Sequence, residues 1–317
     1  MDEYKEHYVS QDNILEKINM DGVAVIKDVL NQEELKLARK GTWQTLNDLT
    51  KNLEKPIQKK DPSSWKTLYE LFPIHSMLIQ HWNIGHAQYV WDVRQNQKVV
   101  DVFSKIWNDS NLLTSFDGVS VHLPPEQTNR GWYRGNDWFH TDQSPLKVGL
   151  KCVQGIVTLY DVNKGDASLR VLKGSNNHHQ SFFNHFNNQE KSDWYKIKDE
   201  EMSYFDDFER NTIIAKAGSL ILWDSRTFHQ GIEPRKTREK PNFRSIVYVC
   251  MTPKSWSDEK NILKKQKAFN EMRLTSHWPH KIKLFPKNPR TYGKELADIS
   301  SLKKPILTDL GKNLAGF

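Results

Sequence analysis

The chain has 317 residues, enough for one large domain or two small ones, with 37% hydrophobic and 27% charged residues. That balance excludes a disordered or fibrous chain and allows a core that needs no covalent staples. The formal net charge of +7 is modest for this length, and no apolar run approaches the roughly 20 residues of a membrane-spanning helix.

The opening MDEYKEHYVSQ shows no leader pattern. Cys152 and Cys250, the only cysteines, each lie in an apolar β-like run. Two thiols cannot make a disulfide framework, so an intracellular, cytoplasmic protein with buried free thiols is expected. GVAVIKDVL (22–30) alternates as a strand does. Asn31, with Glu34 three residues on, predicts a capping box. The spacing of Leu35, Ala38, Thr42, Leu46 and Leu49 predicts an amphipathic helix behind it. KNLEKPIQKKDPSS reads as a charged loop. Asn96 then caps a second helix with Val99, Val102, Phe103 and Ile106 as its apolar stripe. Residues 1–111 are therefore expected to form an N-terminal strand and a helical buttress.

From residue 112 the period changes. LLTSFDGVSVHL, GLKCVQGIVTLYDV, ASLRVL, TIIAKAG, SLILWDSRTFH and RSIVYVCMT are short, β-branched or aromatic, and bounded by turn residues. A mainly β core with flanking helices, a sandwich or barrel over 112–253, is the expectation. Residues 176–210 interrupt it with an aromatic-rich insertion, either a lid or a small packed subdomain. The remainder, 254–317, opens with the helical DEKNILKKQKAFNEM and holds 14 Lys and Arg against 6 Asp and Glu. That basic helix and tail hint at an anionic partner or substrate.

The segment WFHTDQSP sets His140 and Asp142 two residues apart, so on a strand both project to one face. His229 ends SLILWDSRTFH, where the rim of a barrel would place a ligand contributed from far along the chain. Two His and one carboxylate on one side of a metal leave three positions open, a set that suits non-haem Fe(II). In the following strand Arg244 alternates with Ile246, Tyr248 and Cys250. Its planar fork could take the carboxylate of a cosubstrate chelating the metal.

These segments resemble the Fe(II)- and 2-oxoglutarate-dependent oxygenases of the phytanoyl-CoA dioxygenase family. NMDGVAVIKDVLNQEEL is similar to the family's opening strand and helix, and WFHTDQSP to its His-x-Asp segment. GDASLRVLKGSNNHH is similar to its Gly-rich strand, with Lys173 and Asn176 where the family has Pro and His. AKAGSLILWDSRTFHQG is similar to its distal-His strand. The resemblance runs over about residues 15–253, in family order.

It implies a single oxygenase domain over 1–317 with a double-stranded β-helix (jelly-roll) core. His140, Asp142 and His229 would be the metal ligands, and 2-oxoglutarate and O₂ the cosubstrates, with ascorbate helpful in vitro. Arg244 would anchor 2-oxoglutarate, with Arg235 and Arg238 as competing anchors in the turn EPRKTREKP. Thr158 and Gln154 would be further cosubstrate contacts. Because Asp142 is present, hydroxylation of a C–H bond is the implied outcome, with 2-oxoglutarate decarboxylated to succinate. A small-molecule or acyl substrate is expected. The alternatives are an oxidase directed at nucleic acid or protein through the basic tail, and a silent barrel acting as a binding module.

Overall fold

The computed structural model describes residues 3–317. The chain enters through α1 (Ile14–Asp21) and turns directly into β1 (Val23–Ile26). Gly22 makes that turn at φ 77°, and a Cβ there would lie 2.5 Å from Thr227 Oγ1. The Thr227 hydroxyl donates to the Gly22 carbonyl at 3.0 Å, so the first turn is stitched to the segment that carries His229. No side chain larger than hydrogen fits there.

α2 (Gln32–Thr50) starts as its sequence demands. Asn31 accepts from the Glu34 amide at 2.9 Å, and the Glu34 carboxylate accepts from the Asn31 amide at 2.7 Å. Leu35, Ala38, Thr42, Leu46 and Leu49 are all buried. β2 (Leu78–Ile79), α3 (Gln88–Arg94) and α4 (Gln97–Trp107) follow, the last capped by Asn96 as expected. α2 and α4 lay their apolar faces on the outer surface of a β-sheet, against Val153, Val157, Leu220, Leu222, Val247 and Val249. Each fully buried Leu, Val or Phe there contributes roughly 1.5–3 kcal/mol.

The strands begin with β3 (Leu112–Thr114) and β4 (Val119–His122). After a short α5 (Pro125–Thr128) come β5 (His140–Thr141), β6 (Val153–Thr158) and β7 (Ser168–Leu172). The insertion holds α6 (His179–His185) and β8 (Tyr195–Lys196). β9 (Arg210–Thr212), β10 (Leu220–Asp224), β11 (His229–Ile232) and β12 (Arg244–Pro253) complete the set. One sheet has the order β1-β10-β6-β12-β4-β2 with β3 added on β12, and the other is β8-β5-β11-β7-β9. All pairings between these strands are antiparallel. Between the sheets lie Val23, Val25, Ile156, Ile221, Trp223 and Ile246 from one side, and Leu169 and Val171 from the other. This is the mainly β core with flanking helices that the pattern of short strands implied, in the jelly-roll form that the resemblance implied.

The run SLILWDSRTFH, expected as one strand ending at His229, is instead two. β10 stops at Asp224, whose carboxylate accepts from the Arg226 amide and guanidinium. The chain turns over 225–228 and re-forms as β11 in the opposite sheet. His229 therefore begins a strand rather than ending one. The following strand, β12, lies in the sheet opposite β11. It pairs with β6, β4 and β3 there.

The insertion is a packed unit. Phe182, Phe183, Phe205 and Tyr195 bury themselves with Phe139, Leu172 and Phe228. The tail is α7 (Glu259–Asn270) and, after an extended stretch, α8 (Asp309–Ala315). Part of its positive charge is structural. Lys265 is wholly buried and donates to the Thr114 carbonyl over the Phe116 ring. Lys264 and Arg273 donate to the carbonyls of Ile282 and Phe285. No helix among the described residues is long and apolar enough to cross a membrane.

Candidate metal centre

β5 and β11 lie side by side with His140 directly opposite His229 in the register. The ring centroids are 4.2 Å apart. Asp142 follows β5, its amide donating to the Ser225 carbonyl at 2.9 Å, which swings its carboxylate beneath both rings. Asp142 Oδ2 lies 3.3 Å from His229 Nε2 and 3.7 Å from His140 Nε2. One ligand atom from each residue falls within 4.8 Å of the other two, and all three residues are buried. Among the described residues this is the one His, Cys, Asp or Glu group that could hold a metal ion.

The hydrogen bonds fit a metal. His229 Nδ1 lies 2.9 Å from the Thr227 carbonyl, an acceptor only, so Nδ1 carries the proton and Nε2 presents its lone pair to the centre. Burial, then the neighbouring His229, pushes the His140 pKa down to about 3, which keeps that ring neutral. Burial alone would raise Asp142, but His277, His229 and His140 outweigh it and hold the carboxyl below its usual range. A neutral His140 and an ionised Asp142 are the protonation states a divalent metal requires of those two groups.

Gln154, on β6, donates through Nε2 to Asp142 Oδ2 at 2.9 Å and to Ser225 Oγ at 3.2 Å. It is thus a direct neighbour of the Asp142 carboxylate and helps to aim it. Thr158, on the same face of β6, sits four residues away. Its hydroxyl donates to the Tyr160 carbonyl at 2.6 Å, and it lines a small cavity with Arg244 and His122.

Arg244 is buried and donates through Nη1 to the Ala167 carbonyl at 2.8 Å. Its Nε is buried without a hydrogen-bond partner, and no carboxylate pairs with it among the described residues. The expected alternation holds, because Ile246 and Tyr248 on the same face enter the core between the sheets. The turn expected to leave both competing arginines in solvent does so only for Arg235. Arg238 is 3% exposed at its side chain and fully engaged, with Glu126 at 2.5 Å and Asp166 at 3.1 Å.

One neighbour of the ligands escaped the sequence reading. His277, half-buried in the tail, faces Asp142. Burial lowers its pKa, but Asp142, Cys152 and Asp117 more than reverse that and raise it. Its carbonyl also faces the Cys152 thiol at 3.6 Å. No spacing links it to the other ligand-bearing segments, so only the fold could bring it there.

The sequence profile of the family described as Phytanoyl-CoA dioxygenase (PhyH) matches residues 18–237. The chain is 27% identical over 290 residues to Ava biosynthesis cluster protein O of Aspergillus versicolor, covering 87% of this chain and 88% of that protein. A hypothetical protein of Escherichia coli, JW0805, shares the fold with a TM-score of 0.61 at 13% identity, covering 98% of this chain and 85% of that one. A weaker likeness, TM-score 0.48 at 12% identity, is to the non-heme alpha ketoglutarate dependent carbocyclase SnoK from nogalamycin biosynthesis, covering 77% of this chain and 84% of that one.

Proposed function

The chain belongs to the phytanoyl-CoA dioxygenase family, and from that premise we propose that it hydroxylates a C–H bond of a small organic metabolite through His140, Asp142 and His229. It is an Fe(II)- and 2-oxoglutarate-dependent oxygenase. The observation that carries the residue assignment is the convergence of three buried candidate ligands from β5, the residue just after it and β11, with the His229 tautomer already set for coordination. The relative's name supports a metabolite as substrate, because it places that protein in a biosynthesis cluster.

Bound Fe(II) supplies the redox chemistry, in which 2-oxoglutarate and O₂ yield succinate, CO₂ and an oxidised substrate. The chain supplies positioning. Thr227 fixes the His229 ring, and Gln154 fixes the Asp142 carboxylate, so little reorganisation attends loading. Arg244 would take the far carboxylate of 2-oxoglutarate, an anion that meets its unpaired Nε in a buried pocket. Thr158 lines the same cavity, and its hydroxyl would have to turn from the Tyr160 carbonyl to donate to that carboxylate. The apolar interior of Ile156, Ile246 and Trp223 excludes water around the reacting atoms.

His140→Ala, Asp142→Ala and His229→Ala are each expected to lose Fe(II) binding and 2-oxoglutarate decarboxylation while keeping the far-ultraviolet spectrum of the parent. Full turnover in the His229 variant would overturn the assignment. Absence of 2-oxoglutarate turnover in the aerobic, Fe(II)-loaded parent, tested across metabolite extracts for products heavier by one oxygen, would instead favour a silent binding barrel.

A further inference from the structure

β8 runs along the free edge of the smaller sheet, where Lys196 stands directly opposite His140 in the register. Directly opposed residues of an antiparallel pair point to the same face, about 5 Å apart at Cβ. Tyr195 points the other way, into the aromatic core against Phe182 and Phe183. Trp194 and Lys196 therefore share the His140 face, and the Trp194 ring lies 6.0 Å from the His140 ring.

Both side chains are unoccupied by the fold. Trp194 is 54% exposed, in an insertion whose other aromatics are largely packed away. Lys196 is exposed and, among the described residues, has no carboxylate or hydrogen-bond partner. An exposed indole beside a metal ligand costs solvation without contributing to the core, and an unpaired ammonium next to it gives the mouth a positive sign. The backbone under them is nonetheless held firmly. Asp193 takes both of its oxygens to Lys147 Nζ at 2.6 and 2.7 Å and accepts the Ser144 amide at 3.1 Å. On its other side the His140 ring is stacked by Trp138 at 4.8 Å, which His75 in turn stacks at 4.1 Å. The candidate centre thus lies beneath flat aromatic surfaces, with the exposed Lys196 ammonium beside it.

Resting on the oxygenase reading of this centre, we propose that Trp194 and Lys196 form the substrate slot and that the substrate is a planar, ring-bearing organic anion. The ring stacks on the Trp194 indole, and the anionic group reaches the Lys196 ammonium. Together they hold a C–H bond of the ring system or its substituent over the metal. Stacking and ion pairing are each modest alone, but both are supplied from one short, anchored strand.

The test uses full-length protein loaded with Fe(II) and 2-oxoglutarate under nitrogen, titrated calorimetrically with 2-naphthoate and with neutral 2-naphthamide. Trp194→Ala should weaken both probes, roughly 5- to 10-fold for loss of a stacking face, and Trp194→Phe should restore most of that. Lys196→Met should weaken 2-naphthoate alone. The slot is overturned if 2-naphthoate fails to bind the parent at millimolar concentration, if neither variant changes its affinity, or if excess 2-oxoglutarate displaces it. A 2-oxoglutarate isotherm of the Fe(II)-loaded parent, taken before cosubstrate is added, reports the underlying reading separately. No cosubstrate binding, with probes that still respond to both variants, removes the oxygenase assignment and leaves the slot.

Discussion

Three arginines compete for one anion, and their surroundings separate them. Arg244 is buried with an unpaired Nε, Arg238 has its fork filled by Glu126 and Asp166, and Arg235 lies in solvent. Replacing Arg244 by Lys keeps the charge but loses the planar pair of donors, each worth on the order of 1.5–3 kcal/mol to a charged group. Apparent 2-oxoglutarate affinity should fall about 10- to 100-fold, while Fe(II) affinity holds, as measured by anaerobic titration. Arg238→Met should act on stability instead, lowering the urea midpoint by an amount equivalent to about 3 kcal/mol because Asp166, buried, and Glu126 lose their cationic partner. A large affinity loss in Arg238→Met, with none in Arg244→Lys, would reverse the choice. The sequence carried much of this. Spacing marked His140 and Asp142, and strand alternation aimed Arg244 inward. It could not show that Arg238 is buried, because a charged turn reads as solvated whether or not two carboxylates fold over it. Nor could it find His277, whose approach to Asp142 depends on where the tail docks.

Local rules written into the sequence set the helices well and the strand ends poorly. The Asn31–Glu34 box predicts the start of α2 because both donors and both acceptors lie within four residues. Asn31→Ala should cost about 1 kcal/mol, read as a lower thermal midpoint. Glu34→Gln should cost less, since an amide oxygen still accepts from the Asn31 amide. An unchanged midpoint in Asn31→Ala would mean that tertiary packing alone sets the helix start. β8, by contrast, is two residues long and left no periodic trace. The break between β10 and β11 was hidden because the β-like residues continue through it. Only the side-chain bonds of Asp224 to Arg226 distinguish a crossing between sheets from one straight strand. α8 was missed for a similar reason, with a glycine at its centre masking a Thr308 cap.

Over the whole molecule, several histidines are held neutral inside the fold. His86 is the clearest. It receives the Trp91 indole N–H on Nδ1 at 3.3 Å and meets the Arg273 carbonyl with Nε2 at 3.0 Å. A second proton would set two N–H groups against each other. Burial pushes His86 down to about 3, and His122 and His179 to about 4. These folded pKa values lie below the unfolded value of 6.5, so unfolding takes up protons once the pH drops below it. Their stabilising contribution is fully present above about pH 6.5 and is lost as pH falls toward 4. Each such histidine adds a slope of about 1.4 kcal/mol per pH unit in that window. Urea midpoints measured from pH 7.5 to 4.5 should fall with a slope corresponding to more than one proton, and His86→Gln should flatten it. A flat profile in the parent would mean that the rings are already compensated by carboxylates.

The two-residue β8 also bears on how such an enzyme can change over evolutionary time. As an edge strand it has a single partner, β5, so no further ladder depends on its identity. His229 sits deeper, paired on both sides by β5 and β7. Mutations at 194 and 196 alter the shape and sign of the mouth while the doubly paired strand that presents the imidazole keeps its place. The fold thereby separates what must be inherited unchanged from what is free to drift, and a lineage could acquire a new substrate here without first relearning how to hold iron.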